Sequence, residues 1–165
     1  MLPEIKKILF ASDLSPNSRY AFGYAASLAD RYDAKITVLH VLERLNPSTV
    51  MEVQGYLGEE EWEKIQKEKR EGLLDEITIR LNDFCAKMSD KLKDCKFIVE
   101  GILSIAGVPA EEILNQAEKL DMDAIVMGTH GHGLFTDALM GGTARRVVNR
   151  SPIPVLVVRL PEENC

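Results

Sequence analysis

Five short apolar runs alternate with helical patterns along the chain, and this alternation constrains the fold more than any other feature. The runs occupy residues 8–11, 35–41, 97–103, 124–127 and 154–158. Runs that are apolar throughout are typical of parallel strands, which helices cover on both faces. Right-handed crossovers between such strands produce a doubly wound layer. We therefore predict an α/β fold: a doubly wound five-stranded parallel sheet with helices on both faces.

The helical segments begin at recognisable residues. Ser15-Pro16 opens a pattern that closes near Tyr32, because proline suits the first helical turn. Apolar residues at three- and four-residue spacing predict a long amphipathic helix over 59–92. Pro109 opens a further helix, and a short one is predicted from Gly142 to Asn149.

Residues 43–58 are predicted to form a long connection between the second strand and the long helix. Connections of this length are usually functional or disordered. The apolar residues in it, among them Met51 and Tyr56, indicate packing against something. The segment could form a lid over a pocket, contact a partner subunit or pack only against its own neighbouring helix, and all three alternatives are open.

Composition excludes several classes of protein. With 165 residues and 45% apolar content, the chain is expected to form one globular domain over 1–165. Its net charge of −6 argues against nucleic acid as a partner, which requires a basic surface. No apolar run approaches the roughly 20 residues that span a bilayer, and no signal peptide is evident. We therefore expect no membrane partner. Three cysteines without metal-ligand spacing suit reduced thiols, so we expect a cytoplasmic protein.

Ligands of doubly wound sheets bind outside the carboxyl ends of the strands, where the strand order reverses. This rule directs attention to Ser12-Asp13, Val41 and Met127-Gly128, each of which lies near the end of a predicted strand. A carboxylate repels phosphate, so Asp13 is better suited to a hydroxyl or a base. Its alternative role is to cap the helix that follows.

Two glycine clusters stand between the fourth strand and the last helix. The first is Gly128, Gly131 and Gly133, and the second is Gly141-Gly142 before Thr143. Glycine lets a ligand approach the backbone closely. Main-chain N–H groups in such a loop, together with a helix N-terminus, can hold phosphate oxygens. The composition alone leaves a phosphate cradle and a simple turn as equal alternatives.

The glycine spacing is more specific. It lacks the Gly-Lys-Ser/Thr end of a P-loop, and it does not follow the first strand as a dinucleotide fingerprint would. Gly128, two residues, Gly131, nine residues and then Gly141 resembles the motif of the ATP-binding branch of the universal stress protein family. The resemblance extends to KKILFASDLSPNS, GVPAEEILNQAEKLDMDAIVMGTHG and VVNRSPIPVLVV, and so to most of the chain.

The resemblance implies an adenine-nucleotide alpha-hydrolase-like fold and a cytoplasmic, stress-related regulatory role with ATP as ligand. It also implies a homodimer through the last strand, which its apolar PIPVLVV sequence places at a sheet edge open to pairing. The nucleotide-binding positions that it implies are Ala11, Ser12, Asp13, Val41, Met127, Gly128, His130, Gly131, His132, Gly141, Gly142 and Thr143.

One residue departs from the family motif. Gly142 stands where the family has Ser or Thr, and Thr143 follows one position late. Gly142 still supplies an N–H, but the missing hydroxyl puts contact with the γ-phosphate or with Mg²⁺ in doubt unless Thr143 replaces it. Binding of ATP, with ADP and AMP as alternatives and Mg²⁺ as an accompanying ion of ATP, therefore ranks above its hydrolysis.

Two other functions stay open at this point. A slow ATPase or nucleotide hydrolase would need a positioned general base, and no catalytic triad, paired carboxylate or catalytic lysine is apparent. A nucleotide-free interaction protein would have a vestigial pocket. We predict no metal site, because His130 and His132 lack cysteine or acidic neighbours at zinc-ligand spacing.

Overall fold

The computed structural model describes residues 1–44, 46–129 and 140–159. Strands and helices alternate through this part of the chain, as predicted. The strands are β1 (Lys7–Ala11), β2 (Lys35–Glu43), β3 (Ile98–Gly107), β4 (Ala124–Gly128) and β5 (Val155–Val158). The helices are α1 (Pro16–Tyr32), α2 (Pro47–Leu57), α3 (Glu59–Lys91), α4 (Pro109–Lys119) and α5 (Gly142–Arg150).

The five strands form one sheet in the order β3-β2-β1-β4-β5, and all of its pairs are parallel. This confirms the predicted doubly wound sheet. The order reverses between β1 and β4, and β5 lies at an edge of the sheet, where its apolar sequence had placed it. Because the strands are parallel, their carboxyl ends share one edge of the layer, and the ends of β1 and β4 lie side by side.

Alternate residues of β1 point to two separate apolar cores. Ile8 and Phe10 pack with Phe22 of α1 and Leu81 of α3 on one face. Leu9 packs on the other face against residues of α4 and α5, among them Ile113 and Val147. Helices therefore cover both faces of the sheet, which explains the buried apolar runs of the central strands β1 and β4.

Residues 43–58 were predicted to form one long connection between β2 and α3. This is wrong for the interior of the segment, where α2 is an eleven-residue helix. Pro47 occupies its first turn, and the side chain of Asn46 accepts the main-chain N–H of Ser48 at 3.0 Å. These are ordinary features of a helix start. No residue of α2 is buried, and it packs mainly against α3, which corresponds to the neighbouring-helix alternative.

Several other boundaries differ from prediction by one to four residues. Strand β3 continues four residues past Leu103, since its pairing with β2 extends to Gly107 opposite Glu43. Strand β5 begins at Val155, one residue after Pro154. None of the helices in the described ranges combines the length and the apolar character that crossing a membrane would require.

Candidate functional site

A cavity of about 600 Å³ opens at the carboxyl ends of β1, β2 and β4. It lies at the reversal of strand order, where doubly wound sheets bind their ligands. The first turn of α5 forms one wall, and residues of α3 and α4 form others. Its volume is within the range of small-molecule sites, which is about 300–1,000 Å³.

Every predicted site residue in the described part of the chain lines this one cavity. The nine residues come from three strand ends and one helix start: Ala11, Ser12, Asp13, Val41, Met127, Gly128, Gly141, Gly142 and Thr143. The three others, His130, Gly131 and His132, lie outside the described residues.

A main-chain hydrogen bond joins the two glycine segments. The N–H of Gly141 donates to the carbonyl oxygen of Thr129 at 2.7 Å, and the N–H of Thr129 donates to Val158 on β5 at 3.0 Å. The chain therefore returns at Gly141 to the point where it left β4. Because the Gly141 N–H is engaged in this bond, the amides available on this wall begin at Gly142.

The N-terminus of α5 faces the cavity through Gly142 and Thr143. Gly141 is the N-cap, and its carbonyl accepts the N–H of Arg145 at 3.0 Å. The amides of the first turn have no partner within a helix, and they carry its positive dipole end. A Cβ added at Gly142 would meet no atom of the described residues within 4 Å, so the backbone at this position is accessible on its Cβ side. The arrangement suits an anion.

The loop after β1 is held by side chains. Oδ1 of Asp13 accepts the N–H of Ser15 at 2.9 Å and its hydroxyl at 2.6 Å. Between them Leu14 has a left-handed φ of 63°, a conformation that non-glycine residues adopt uncommonly and that tends to cluster at functional sites. The hydroxyls of Ser12 and Ser18 lie 2.7 Å apart. Asp13 thus orders the entry into α1 and also lines the cavity.

His40 on β2 also lines the cavity, and it was not among the predicted site residues. Its Nδ1 lies 2.7 Å from the carbonyl oxygen of Ser12, so the ring supports the loop that carries Asp13. Within the described ranges, no three His, Cys, Asp or Glu side chains are grouped so that they could hold a metal ion.

The helices contribute cavity residues that were not predicted. Pro109 and Ile113 come from α4, and one stripe of α3 supplies Leu73, Glu76, Ile77 and Arg80. Leu73 and Ile77 belong to the apolar pattern that predicted this helix, whereas Glu76 and Arg80 are among the charged residues between its apolar positions and gave no signal of a cavity. Only Ile77 of the four is buried.

Comparison with solved structures supports the fold assignment. The structure of MJ0577 has a TM-score of 0.74 and 26% identity, covering 97% of this chain and 99% of that chain. A universal stress protein in complex with cAMP has a TM-score of 0.56, 18% identity and coverage of 95% and 98%. The Archaeoglobus fulgidus universal stress protein in complex with dAMP has a TM-score of 0.50, 17% identity and coverage of 94% and 98%.

Sequence comparison extends the likeness over nearly the whole chain. The universal stress protein MJ0531 of Methanocaldococcus jannaschii is 30% identical over 161 residues, which are 96% of this chain and 84% of that protein. The universal stress protein MJ0577 of the same organism is 28% identical over 154 residues, covering 93% and 94%. The profile of the universal stress protein family matches residues 4–159. The chain therefore belongs to the universal stress protein family.

Proposed function

We propose that this protein binds an adenine nucleotide in the cavity and acts as a regulatory stress-response protein. The observation that carries the proposal is the 2.7 Å hydrogen bond from the Gly141 N–H to the Thr129 carbonyl oxygen. This bond holds the open first turn of α5 beside the end of β4. A helix N-terminus at the carboxyl edge of a parallel sheet is a common site for a phosphate group.

The residues that line the cavity suit two chemically different parts of a nucleotide. The amides of Gly142 and Thr143, together with Gly128 and with His130, Gly131 and His132 further along the chain, are proposed to bind the phosphates. Ala11, Ser12, Asp13, Val41 and Met127 are proposed to bind the nucleoside. Asp13 fits the nucleoside because an ionised carboxylate only accepts hydrogen bonds, which ribose hydroxyls and base amino groups donate.

The comparisons support an adenine ligand. Two proteins that share the fold were solved with cAMP and with dAMP, and these ligands have in common an adenine base, a sugar and one phosphate. We propose ATP as the ligand, with ADP and AMP as alternatives and Mg²⁺ accompanying ATP.

The regulatory part of the proposal concerns assembly. We propose a cytoplasmic homodimer of one nucleotide-binding domain, 1–165, that pairs through β5 and signals through its dimer or its partners. Within the described residues β5 pairs on one side alone, with β4, and Leu156 on it is 38% exposed. The thiols of Cys85 and Cys95 are free, which suits a reducing compartment.

Calorimetric titration tests the binding proposal. ATP, ADP, AMP, adenosine and GTP are titrated into the protein, and the denatured protein is examined by mass spectrometry for a nucleotide that copurifies. We expect saturable heat for the adenine nucleotides, weaker binding of adenosine and little binding of GTP. Absence of heat, of a melting-temperature shift at millimolar adenine nucleotide and of any copurified nucleotide would overturn the proposal.

A further inference from the structure

The charged side chains that line the cavity are mostly negative. Asp13, Glu43 and Glu76 contribute three carboxylates, whereas Arg80 is the one lysine or arginine among the described lining residues. Helix-start amides supply only partial positive charge. A ligand that carries several phosphate charges therefore needs a cation here, and Arg80 on α3 is the described side chain that can provide one.

The position of Arg80 is fixed by polar contacts between α3 and β3. The hydroxyl of Thr78 lies 2.8 Å from the hydroxyl of Ser104, which is opposite His40 in the sheet. Both hydroxyls also lie within hydrogen-bond distance of the carbonyl oxygen of Leu74, at 2.9 and 3.0 Å, and because each has one proton, two of these three contacts are donated at a time. This contact fixes where α3 lies against β3, and the turns of α3 on either side of Thr78 carry its cavity residues, Arg80 among them.

Arg80 forms an exposed ion pair with Glu76, which a ligand can displace. Its guanidinium lies 2.8 Å from Oε1 of Glu76, one turn earlier on α3, and the two side chains are 65% and 57% exposed. Ion pairs of this exposure contribute little to stability, because water solvates both charges well. A phosphate accepts two parallel hydrogen bonds from a guanidinium, which makes it a stronger partner than a single carboxylate oxygen in water.

We propose that Arg80 is the phosphate-recognising side chain of this cavity, and that nucleotide binding transfers its guanidinium from Glu76 to a phosphate oxygen. This inference rests on the proposed function and specifies how the site distinguishes nucleotides from nucleosides. Glu76 then acts as a competitor for Arg80, which it holds at the cavity while no anion is bound.

The test is calorimetric titration of the full chain with adenosine, AMP and ATP. Arg80→Gln keeps a polar side chain of similar helix propensity but removes the charge, and it should lower the affinity for ATP about tenfold, that for AMP less, and that for adenosine hardly at all. Arg80→Lys should recover part of the loss. Arg70→Gln is the matched control, since Arg70 is exposed on the same helix but does not line the cavity, and it should bind ATP as the unmodified protein does.

Glu76→Gln tests the exchange of partners. Removal of the competing carboxylate should raise the affinity for ATP about threefold and leave the affinity for adenosine unchanged. A loss of ATP affinity in this variant would overturn the exchange. Thermal melting of each variant without ligand should show that all of them fold.

The outcomes separate the two proposals. Failure of the unmodified protein to bind ATP overturns the proposed function and this role together. Normal ATP binding by Arg80→Gln overturns the role of Arg80 alone. An equal loss for adenosine and ATP would also overturn it, because the side chain would then contact the nucleoside and not the phosphates.

Discussion

Nδ1 of His40 lies 2.7 Å from the main-chain carbonyl oxygen of Ser12, so a side chain of β2 holds the loop that follows β1. The carbonyl oxygen can only accept, and Nδ1 is therefore the donor. The main-chain N–H of Ser12 donates in turn to Leu39 at 2.8 Å. Both main-chain polar groups of Ser12, its N–H and its carbonyl oxygen, are thus bonded to β2, directly before Asp13.

Replacing His40 tests the importance of this anchor. His40→Leu removes the donor and should lower the free energy of unfolding by about 1 kcal/mol, which corresponds to about 2–4 °C in Tm for a chain of this size. Adenosine affinity should fall as well. His40→Asn is the control, because its amide nitrogen can replace Nδ1 as donor. Equal melting temperatures for both variants would contradict the prediction.

Asp13 has two roles that substitutions can separate. Asp13→Ala loses both hydrogen bonds from Ser15 and should cost about 1–2 kcal/mol of stability, with a roughly tenfold loss of adenosine affinity. Asp13→Asn keeps an acceptor oxygen, so it should be nearly as stable as the unmodified protein while binding adenosine more weakly. Urea unfolding and calorimetry measure the two effects. Unchanged adenosine binding by the alanine variant would remove Asp13 from the site.

The raised pKa of the Cys85 thiol predicts that the free energy of unfolding falls at alkaline pH. Burial raises its pKa from the ordinary 9.0 to about 11, so the folded state holds the thiol proton more tightly than the unfolded chain. Below pH 9 the thiol is protonated in both states and its contribution is complete. Between about pH 9 and 11 only the unfolded chain ionises, and stability falls as pH rises.

Cys85→Ala isolates this contribution. Urea unfolding across that alkaline range should show a smaller loss of stability for the variant than for the unmodified protein. Cys95→Ala serves as a comparison, since Cys95 is less buried. Parallel pH profiles for the unmodified protein and Cys85→Ala would show that the thiol makes no such contribution.

The proposed dimer can be assigned to one edge of the sheet. Leu156→Glu places a charge on β5 and should convert a dimer into a monomer in sedimentation experiments at micromolar concentration. Ile98→Glu places the same charge on β3, at the opposite edge, where Ile98 is 60% exposed. That variant should stay dimeric. Dissociation by Ile98→Glu alone, or a monomeric unmodified protein, would rule out the β5 interface.

Most of the fold is predictable because its central strands are buried on both faces, which leaves uninterrupted apolar runs such as 124–127. Helix α2 is different. None of its residues is buried, so no apolar stripe marks it, and Gly55 and the β-branched Thr49 weaken its helix propensity. Its only strong sequence signal is the Asn46-Pro47 start.

The candidate site was predictable where it depends on strand ends. All parallel strands end at one edge of the sheet, so Asp13, Val41 and Met127 had to approach one another. Arg80 could not be found in this way, since its place at the cavity depends on where α3 crosses β3. That crossing is fixed by the contact of Thr78 with Ser104, 26 residues later, and neither hydroxyl marks its partner in the sequence.

The central claim is that main-chain amides at the start of α5 bind phosphate, and Gly142→Pro tests it most directly. Proline removes one N–H but suits the first helical position, and the extended Gly141 before it (φ −66°, ψ 161°) is compatible with a following proline. Gly142→Ala is the control, because it keeps the N–H and its Cβ meets no atom within 4 Å.

Calorimetric titration of both variants with ATP and adenosine is therefore the decisive measurement. The account predicts that Gly142→Pro binds ATP about tenfold more weakly, that its adenosine affinity is unchanged, and that Gly142→Ala binds both ligands as the unmodified protein does. Equal ATP affinity in the proline variant and the unmodified protein would contradict it.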